Sequence, residues 1–584
     1  MLEYELRLST PSFTSGPMAR GGALVGPRRP SSSVLQFSTR HIPKVESDVA
    51  TRLISELKFS TRHTFGLCAI SPLKSEIILF LFAGERSAGF SKQSRLPAYK
   101  TRENCDKLGP AIVGNSRTTS GETAMNRASR RTKRIVRAFA GAALFLVCAF
   151  GARAQYTDRQ AIDDLGGPQA FAARRSALAR QLKTGYAILF ARNDIPEAAH
   201  YREDNDFYYF TGLQDPGAVM LMDVEKGTVI IFEPQQAGRT AQVYGSNLLA
   251  LPSTEQQSLG YNAVLPIGNL DIRLSALMQL NAGGDLWVRL GFPDKADGAR
   301  PEVGRDHAWK FAHPYHEPLP SDLAPAKLLA ERYPMAHFRD LAPAIDSLRN
   351  IKSGDEIAVL RRIGKISAEG NRDAIAHAHP GMFQYQIEAR AFFYYSDHGA
   401  QGMSYPAIVG SGDDINTWHY FSNRRKIEAN QLVVFDFAGS LDHETMDITR
   451  TFNISGKFTP EQAKWYAVDL EAQKAVIALL SPGHAYEEAA AAGQAVFEKN
   501  GISNQWTGFP GHFVGFAVHD VMRPAGPVRP GQVVTVEPIV EFVDKRMHYR
   551  VEDTILITDG APEILSAAVP KELADVEKLV GSAQ

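Results

Sequence analysis

The sequence predicts an α+β protein built as two successive segments, 165–335 and 353–575. Two observations carry that reading. Short apolar runs, bounded by Gly, Asn or Pro, recur in both segments and read as buried strands. Helices with recognisable start and stop signals lie among them, and no internal repeat marks a solenoid. The composition agrees: 584 residues, 44% hydrophobic and 22% charged, exclude collagen, a disulfide scaffold and wholesale disorder. The length suffices for two or three domains with sizeable cores.

In the first segment, 186–190 (Tyr-Ala-Ile-Leu-Phe) and 229–232 (Val-Ile-Ile-Phe) read as buried strands, with the aromatic stretch 202–212 between them. The stretch 291–320 reads as a polar surface loop. Its histidines, His307, His313 and His316, have irregular spacing and no acidic partners at ligand intervals. The second segment opens with a helix over 355–377, closed by Pro380-Gly381. A second helix starts at Thr459 as N-cap, with Pro460 in the first position and Gln462 completing a capping box, and stops near Leu480 before Ser481-Pro482-Gly483. A third covers 486–499, and strands are expected at 432–437, 447–452, 533–536 and 549–558.

Charge divides the chain. Its 64 basic and 64 acidic residues cancel, yet residues 1–154 hold 24 Lys/Arg against 10 Asp/Glu, leaving 40 against 54 in the remainder. An acidic bulk excludes a basic nucleic-acid binder. After Met125 come six basic residues without an acid, then an apolar run over 138–150 and Ala152-Arg153-Ala154. A basic stretch, a short apolar stretch and an A-x-A site make residues 125–154 a secretory signal peptide. As a helix the apolar run reaches only about 20 Å, short of the roughly 30 Å hydrocarbon core, so no stable membrane insertion is expected after cleavage. The expected location is periplasmic or secreted. Residues 1–124 are basic, poorly periodic and unassigned: either a disordered extension or upstream sequence mistranslated ahead of a true start at Met125. The three cysteines (Cys68, Cys105, Cys148) all precede residue 155, so the acidic part forms no disulfide.

The chemistry lies in the second segment. Asp436 ends an apolar strand, and Asp447 opens another after ten intervening residues. If the strands pair as a hairpin the two acids face each other, with Cα atoms roughly 4.5–5.5 Å apart. Carboxylates so close repel, burial raises the cost, and a metal cation resolves both problems. His512, Glu537 and Glu552 follow in strand-like settings, with Arg550, Glu552 and Thr554 on one strand face. Four carboxylates and an imidazole form a hard, oxygen-rich set, suited to two Mn²⁺, Co²⁺ or Zn²⁺ ions rather than to a cysteine-rich structural zinc. Two such ions can share a hydroxide and stabilise charge on a carbonyl oxygen, which is hydrolysis without a protein nucleophile.

Asp436 and Asp447, then Gly511-His512, Val536-Glu537-Pro538 and Arg550-Val551-Glu552-Asp553, resemble the five-ligand pattern of the pita-bread metallopeptidases of family M24. Tyr405-Pro406-Ala407-Ile408-Val409-Gly410-Ser411-Gly412, Trp418-His419-Tyr420 and Asp447-Ile448-Thr449-Arg450-Thr451-Phe452 are similar to its aminopeptidase P and prolidase branch. The stretch 202–212 resembles the aminopeptidase P N-terminal domain, so the likeness runs over about 165–575. It implies a creatinase/aminopeptidase P N-terminal domain over 165–335 and a pita-bread catalytic domain over 353–575.

The resemblance implies that Asp436 chelates one metal, Asp447 and Glu552 bridge both, and His512 and Glu537 complete the second, with Mn²⁺ the expected metal. Glu537 would also move the proton to the leaving amine. His419 would assist at the carbonyl, His519 would contact the residue beyond the scissile bond, and Arg550 would orient a carboxylate. An undistorted strand would put His512 and His519 on opposite faces. Two departures from the family pattern fall where substrate is expected: Gly508 replaces a histidine four residues before His512, and a substrate-side tyrosine of the hairpin is replaced near Glu444. The implied activity is hydrolysis of the N-terminal Xaa-Pro bond of peptides by a homo-oligomer. The alternatives are an Xaa-Pro dipeptidase, which shares all five ligands, and a metal-free relative or binding scaffold, which would have lost them.

Overall fold

The computed structural model describes residues 158–193, 201–281, 283–313, 315 and 320–583. The signal peptide and the preceding extension lie outside the described residues. The first segment folds around a mixed sheet of β1 (Tyr186–Phe190), β2 (Val219–Asp223), β3 (Thr228–Glu233), β4 (Ala263–Pro266), β5 (Asp285–Val288) and β6 (His337–Asp340), in the order β4-β3-β2-β1-β5-β6. The β1–β2–β3 meander is antiparallel, and β4, β5 and β6 join in parallel. Both faces of β1, β2 and β3 are covered, which is why these strands read as nearly unbroken apolar runs, whereas β6 at the sheet edge is polar and largely exposed. Ala187, Leu189, Met220, Met222 and Ile231 face a core that continues into the second segment. Tyr186, Ile188, Val219, Leu221 and Phe232 face a separate core with Leu274 and Leu329 of the covering helices. Each of the Leu, Ile, Val, Met and Phe side chains among them, fully buried, contributes about 1.5–3 kcal/mol.

The stretch expected as a loop at 291–320 contains a helix, Arg300–Phe311. It escapes hydrophobic periodicity because Val303 is its one buried residue and Trp309 is exposed. His307 stacks on Phe292 with ring centroids 4.6 Å apart and, among the described residues, joins none of the metal-type clusters. His316 lies outside the described residues.

The second segment carries its helices where the caps place them. Ser353 and Glu356 form a capping box on the helix Gly354–Ala376. Thr459 and Gln462 do the same on Pro460–Ile477, which ends somewhat before Leu480, and the third helix is Tyr486–Lys499. Strands β7 (Ile408–Ser411), β8 (Leu432–Asp436) and β9 (Thr449–Asn453) form one antiparallel sheet with β8 central. Farther along, β10 (Val533–Val536) pairs with β13 (Asp553–Leu556), and β11 (Ile539–Phe542) with β12 (Met547–Arg550).

The two segments meet along a buried polar seam. Arg202 Nη2 donates to the carbonyls of His443 (2.8 Å) and Phe516 (2.6 Å). Tyr208 stacks on His443 with ring centroids 3.7 Å apart. Arg349 Nη1 pairs with Asp206 (3.0 Å), and its Nη2 with Asp294 and Asp520 (2.6 Å each).

Candidate metal centre

The expected hairpin forms, in a different register. Asp436 pairs with Thr449, and the regular strand begins there rather than at Asp447. Asp447 is drawn instead toward β13: its N–H donates to Thr554 Oγ1 (3.2 Å), which donates to the Asp447 carbonyl (2.7 Å). The expected strand over 549–558 is likewise two strands, broken at Val551 and Glu552, because the Val551 N–H donates to buried Asp469 (2.9 Å) and that of Glu552 to the Thr449 carbonyl (3.1 Å). These departures bring Asp436, Asp447 and Glu552 together, with a ligand oxygen of each within 4.8 Å of the others.

His512 and His519 do not lie on a strand. The chain over 511–521 is looped, and the two rings come together with centroids 4.1 Å apart. Gly511 lies so close to β10 that a Cβ there would run into the Thr535 carbonyl. Thr535 N–H donates to the His512 carbonyl (2.8 Å), and the His512 N–H to Thr535 Oγ1 (3.1 Å). So held, His512 Nε2 lies 3.2 Å from Glu537 Oε1 and 3.5 Å from Asp447 Oδ2. His512, Glu537 and Glu552 form a second ligand-type group and Asp447, His512 and His519 a third, overlapping the first. All five sequence-expected ligands therefore converge.

Around them stands a shell of oriented donors. Arg550 Nη2 pairs with Asp436 Oδ2 (2.5 Å) and its Nε donates to Thr449 Oγ1 (3.1 Å). Thr449 Oγ1 donates to Glu552 Oε2 (2.7 Å), and the Tyr405 hydroxyl to Asp436 Oδ1 (2.5 Å). Glu552 Oε1 is buried without a hydrogen-bond partner. Burial, with Asp447 and Glu537 nearby, pushes Asp436 up to about 7 despite Arg550, and burial with three carboxylates holds Glu552 well above the usual carboxylate range. Although burial disfavours its charge, His512 is held well above its usual value by Asp447 and Glu537. Side chains alone relieve this repulsion only by taking up protons. Divalent cations relieve it without them and give the orphaned Glu552 oxygen a partner, so the donor set fits a two-metal site.

The centre opens into a cleft of about 320 Å³, walled by Tyr405, His419, His519 and Arg550, and by Lys295 and Arg305 from the first segment. Burial and Arg550 lower His419 below its usual value, so its ring is neutral at pH 7. His519 Nδ1 lies 2.7 Å from Glu302 Oε2, on the helix Arg300–Phe311. Sequence reasoning gave no role to Tyr405, Thr449 or Glu302; Tyr405 opens a quoted motif, whereas Glu302 carries no local signal. It also placed Glu444 wrongly. That residue is fully buried at the hairpin tip under the first segment and does not line the cleft, because Leu441 and Glu444 close the tip with backbone hydrogen bonds. Gly508 does lie beside the centre, in a second cavity across Glu537.

Comparison with known proteins agrees with this geometry. Residues 358–559 match the model of metallopeptidase family M24, and residues 171–287 that of the aminopeptidase P N-terminal domain. The chain is 28% identical to Xaa-Pro aminopeptidase of Escherichia coli over 471 residues, covering 71% of this chain and 98% of that one. It is 30% identical over 242 residues to the peptidase YqhT of Bacillus subtilis, covering 41% of this chain and 68% of that one. Among solved structures it resembles aminopeptidase P from E. coli with the inhibitor Pro-Leu, with a TM-score of 0.58 and 27% identity, covering 71% of this chain and 99% of the other. An N-terminal domain of the aminopeptidase P type leads into a pita-bread domain that brings five metal-type ligands together, and the chain belongs to metallopeptidase family M24.

Proposed function

We propose that this chain is a metal-dependent aminopeptidase that hydrolyses the bond between the first residue of a peptide and a proline in second place. The observation that carries the reading is the convergence of Asp436, Asp447, His512, Glu537 and Glu552 at the floor of a cleft walled partly by the N-terminal segment. Those five residues would hold two divalent ions, Mn²⁺ by preference. When bound, the ions supply a water ionised near neutral pH and a Lewis acid for the scissile carbonyl.

The chain's own residues do the rest. Arg550 and Tyr405 fix both oxygens of Asp436, and Thr449 ties Glu552 to Arg550, so the ligand set is oriented before substrate arrives. Glu537 takes the proton of the attacking water on its carboxylate and delivers it to the leaving nitrogen. A prolyl nitrogen carries no hydrogen of its own, so it leaves as an amine only after that delivery. His419, neutral, is available as a hydrogen-bond donor toward the carbonyl oxygen. His519, clamped by Glu302, borders the part of the peptide beyond the scissile bond. The basic and apolar stretches over 125–154 support action after export to the periplasm or medium, and the family likeness supports a homo-oligomer. Among the described residues no helix is long and apolar enough to cross a membrane.

The test compares alanine release from Ala-Pro-Ala, Ala-Pro and Ala-Ala-Ala by the Mn²⁺-loaded full chain, with Glu537→Gln as control. Cleavage of the prolyl tripeptide, lost in the control, is the expected result. Preference for Ala-Pro makes the enzyme a dipeptidase, and preference for Ala-Ala-Ala removes the proline requirement. Metal binding without cleavage of any peptide refutes the catalytic reading.

A further inference from the structure

Behind the strands that carry the metal-type ligands lies a buried polar hub that the mechanism above does not use. Arg450, on β9, is 1% exposed and directs its guanidinium to both ligand-bearing strands. Its Nη1 donates to the carbonyls of Thr449 (2.9 Å) and Glu552, and its Nη2 to Asp553 Oδ1 (2.7 Å). Asp553 follows Glu552 in the chain and pairs in register with Val536, the residue before Glu537. It therefore stands between the two glutamate ligands, and Arg450 joins it to the strand that begins two residues after Asp447.

The end of the chain holds this hub in place. The segment 566–571 has no regular secondary structure, yet its polar groups converge inward. Ser566 Oγ donates to Asp553 Oδ1 (2.6 Å). The successive carbonyls of Val569, Pro570 and Lys571 accept from Arg450 Nη2 (3.0 Å), Arg450 Nε (3.0 Å) and the Tyr466 hydroxyl (2.7 Å). Lys571 Nζ donates to Asp553 Oδ2 (2.7 Å) and to Gln473 Oε1 (2.9 Å), and Gln473 Nε2 donates in turn to Asp553 Oδ2 (3.0 Å). Each oxygen of Asp553 thus takes a charge-assisted hydrogen bond, one from Arg450 and one from Lys571. Of these side chains Lys571 alone reaches the surface, at 16% exposure.

We propose that Lys571 is a positioning residue for the metal pair: it latches Asp553, and through Asp553 and Arg450 it fixes Glu552 against Asp447 and Glu537. The proposal rests on the two-metal reading given above. A single ion is held by whichever ligands lie best for it. A pair needs Glu552 to present both oxygens at once in one geometry, so a loosened latch falls mainly on the second ion. Without the Lys571 ammonium, Asp553 Oδ2 keeps only the Gln473 amide, whose own anchor has gone, and the main chain at Glu552 gains freedom.

Calorimetry of Mn²⁺ binding to the full chain tests the proposal, with two ions expected in the parent. In Lys571→Met, which keeps the aliphatic stem, the second ion should bind about tenfold more weakly while the first changes by less than about threefold. Lys571→Arg restores a cation and should bring the second ion back to within about threefold of the parent. Should the methionine variant not fold, Lys571→Gln removes the charge with the same expectation. Glu577→Ala is the control for general loosening. That carboxylate fastens the terminal helix Leu573–Leu579 to Lys457 (2.8 Å) and to the Phe458 N–H (3.0 Å), away from Asp553, so its loss should lower Tm and leave both Mn²⁺ constants unchanged. An unaltered second ion in the uncharged variants, equal weakening of both ions, the same weakening in Glu577→Ala, or no recovery in Lys571→Arg overturns the proposal. So does a parent that holds fewer than two ions. If the parent binds both ions yet cuts no peptide, the functional reading falls and the binding constants still decide the latch.

Discussion

Replacing Arg349 with methionine tests whether the seam between the segments is a stabilising core. The guanidinium is 2% exposed and touches three carboxylates that are themselves 0–1% exposed. Methionine fills most of the volume, so the loss is electrostatic. Asp206 would retain Arg289 (2.8 Å) and Arg300 (2.7 Å), and Asp520 would retain Lys352 (2.7 Å). Asp294 would be left with Asn205 at 3.2 Å and Arg300 at 3.6 Å. Removing one partner of a buried ion pair costs about 3–5 kcal/mol. With two of the three acids still paired, the expected loss is near the lower end, about 3 kcal/mol. Urea denaturation of the variant and the parent measures it. Arg332→Met is the control, since Arg332 and Asp271 are more than half exposed, and its expected cost is below about 1 kcal/mol. If Arg349→Met loses no more than the control, the seam does not stabilise the fold as argued.

Glu302→Ala should reduce kcat/KM about tenfold by freeing His519, with only a modest fall in Tm; an unchanged kcat/KM refutes the clamp. Metal affinity should weaken as pH falls through 7, because Asp436 (about 7 without metal) and Glu552 take up protons that compete with the cation. Calorimetry of Mn²⁺ binding in two buffers of different ionisation enthalpy should therefore report proton release at pH 7, and none would contradict the repulsion argument. Asp346 is raised to about 6 by burial and nearby Asp206, despite Arg300. A raised carboxyl favours the folded state most below its unfolded value near 3.9, and that contribution declines as pH rises to about 6. Asp346→Asn should flatten this part of the pH–stability profile, measured by thermal unfolding between pH 4 and 7.

The metal-type residues and the capped helices were legible in sequence because their signals are local. Asp436 and Asp447 are acids within otherwise apolar runs, Glu537 follows one, Glu552 sits in a strand-like stretch with Arg550, and Ser353, Thr459 and their partners sit within one helical turn. What was hidden depends on contacts far apart in the chain. Asp447 leaves the hairpin register for Thr554, 107 residues on, and Glu302 reaches His519 across 217 residues. The helix Arg300–Phe311 was missed because it buries only Val303 and leaves Trp309 exposed, so it has no apolar stripe, while Glu444 was misplaced because a tight turn buries it under the first segment. The looping that unites His512 and His519 follows from neighbours of the second histidine: Asp520 is held by Arg349 and Lys352, and no periodicity in 511–521 encodes that anchor.

The seam also decides how a peptide gets in. A single apolar core runs from Ile162 to Val576 through both segments, and Arg349 binds acids on either side of the boundary. Swinging the segments apart would break that core and strip several buried ions of their partners, a cost far above thermal energy. Admission therefore relies on a standing aperture rather than on jaws that open and shut. On the proposed function, such an entrance would work as a sieve: an extended chain end would thread to the metal-type ligands, and a folded protein would be turned away by bulk before any side chain is read.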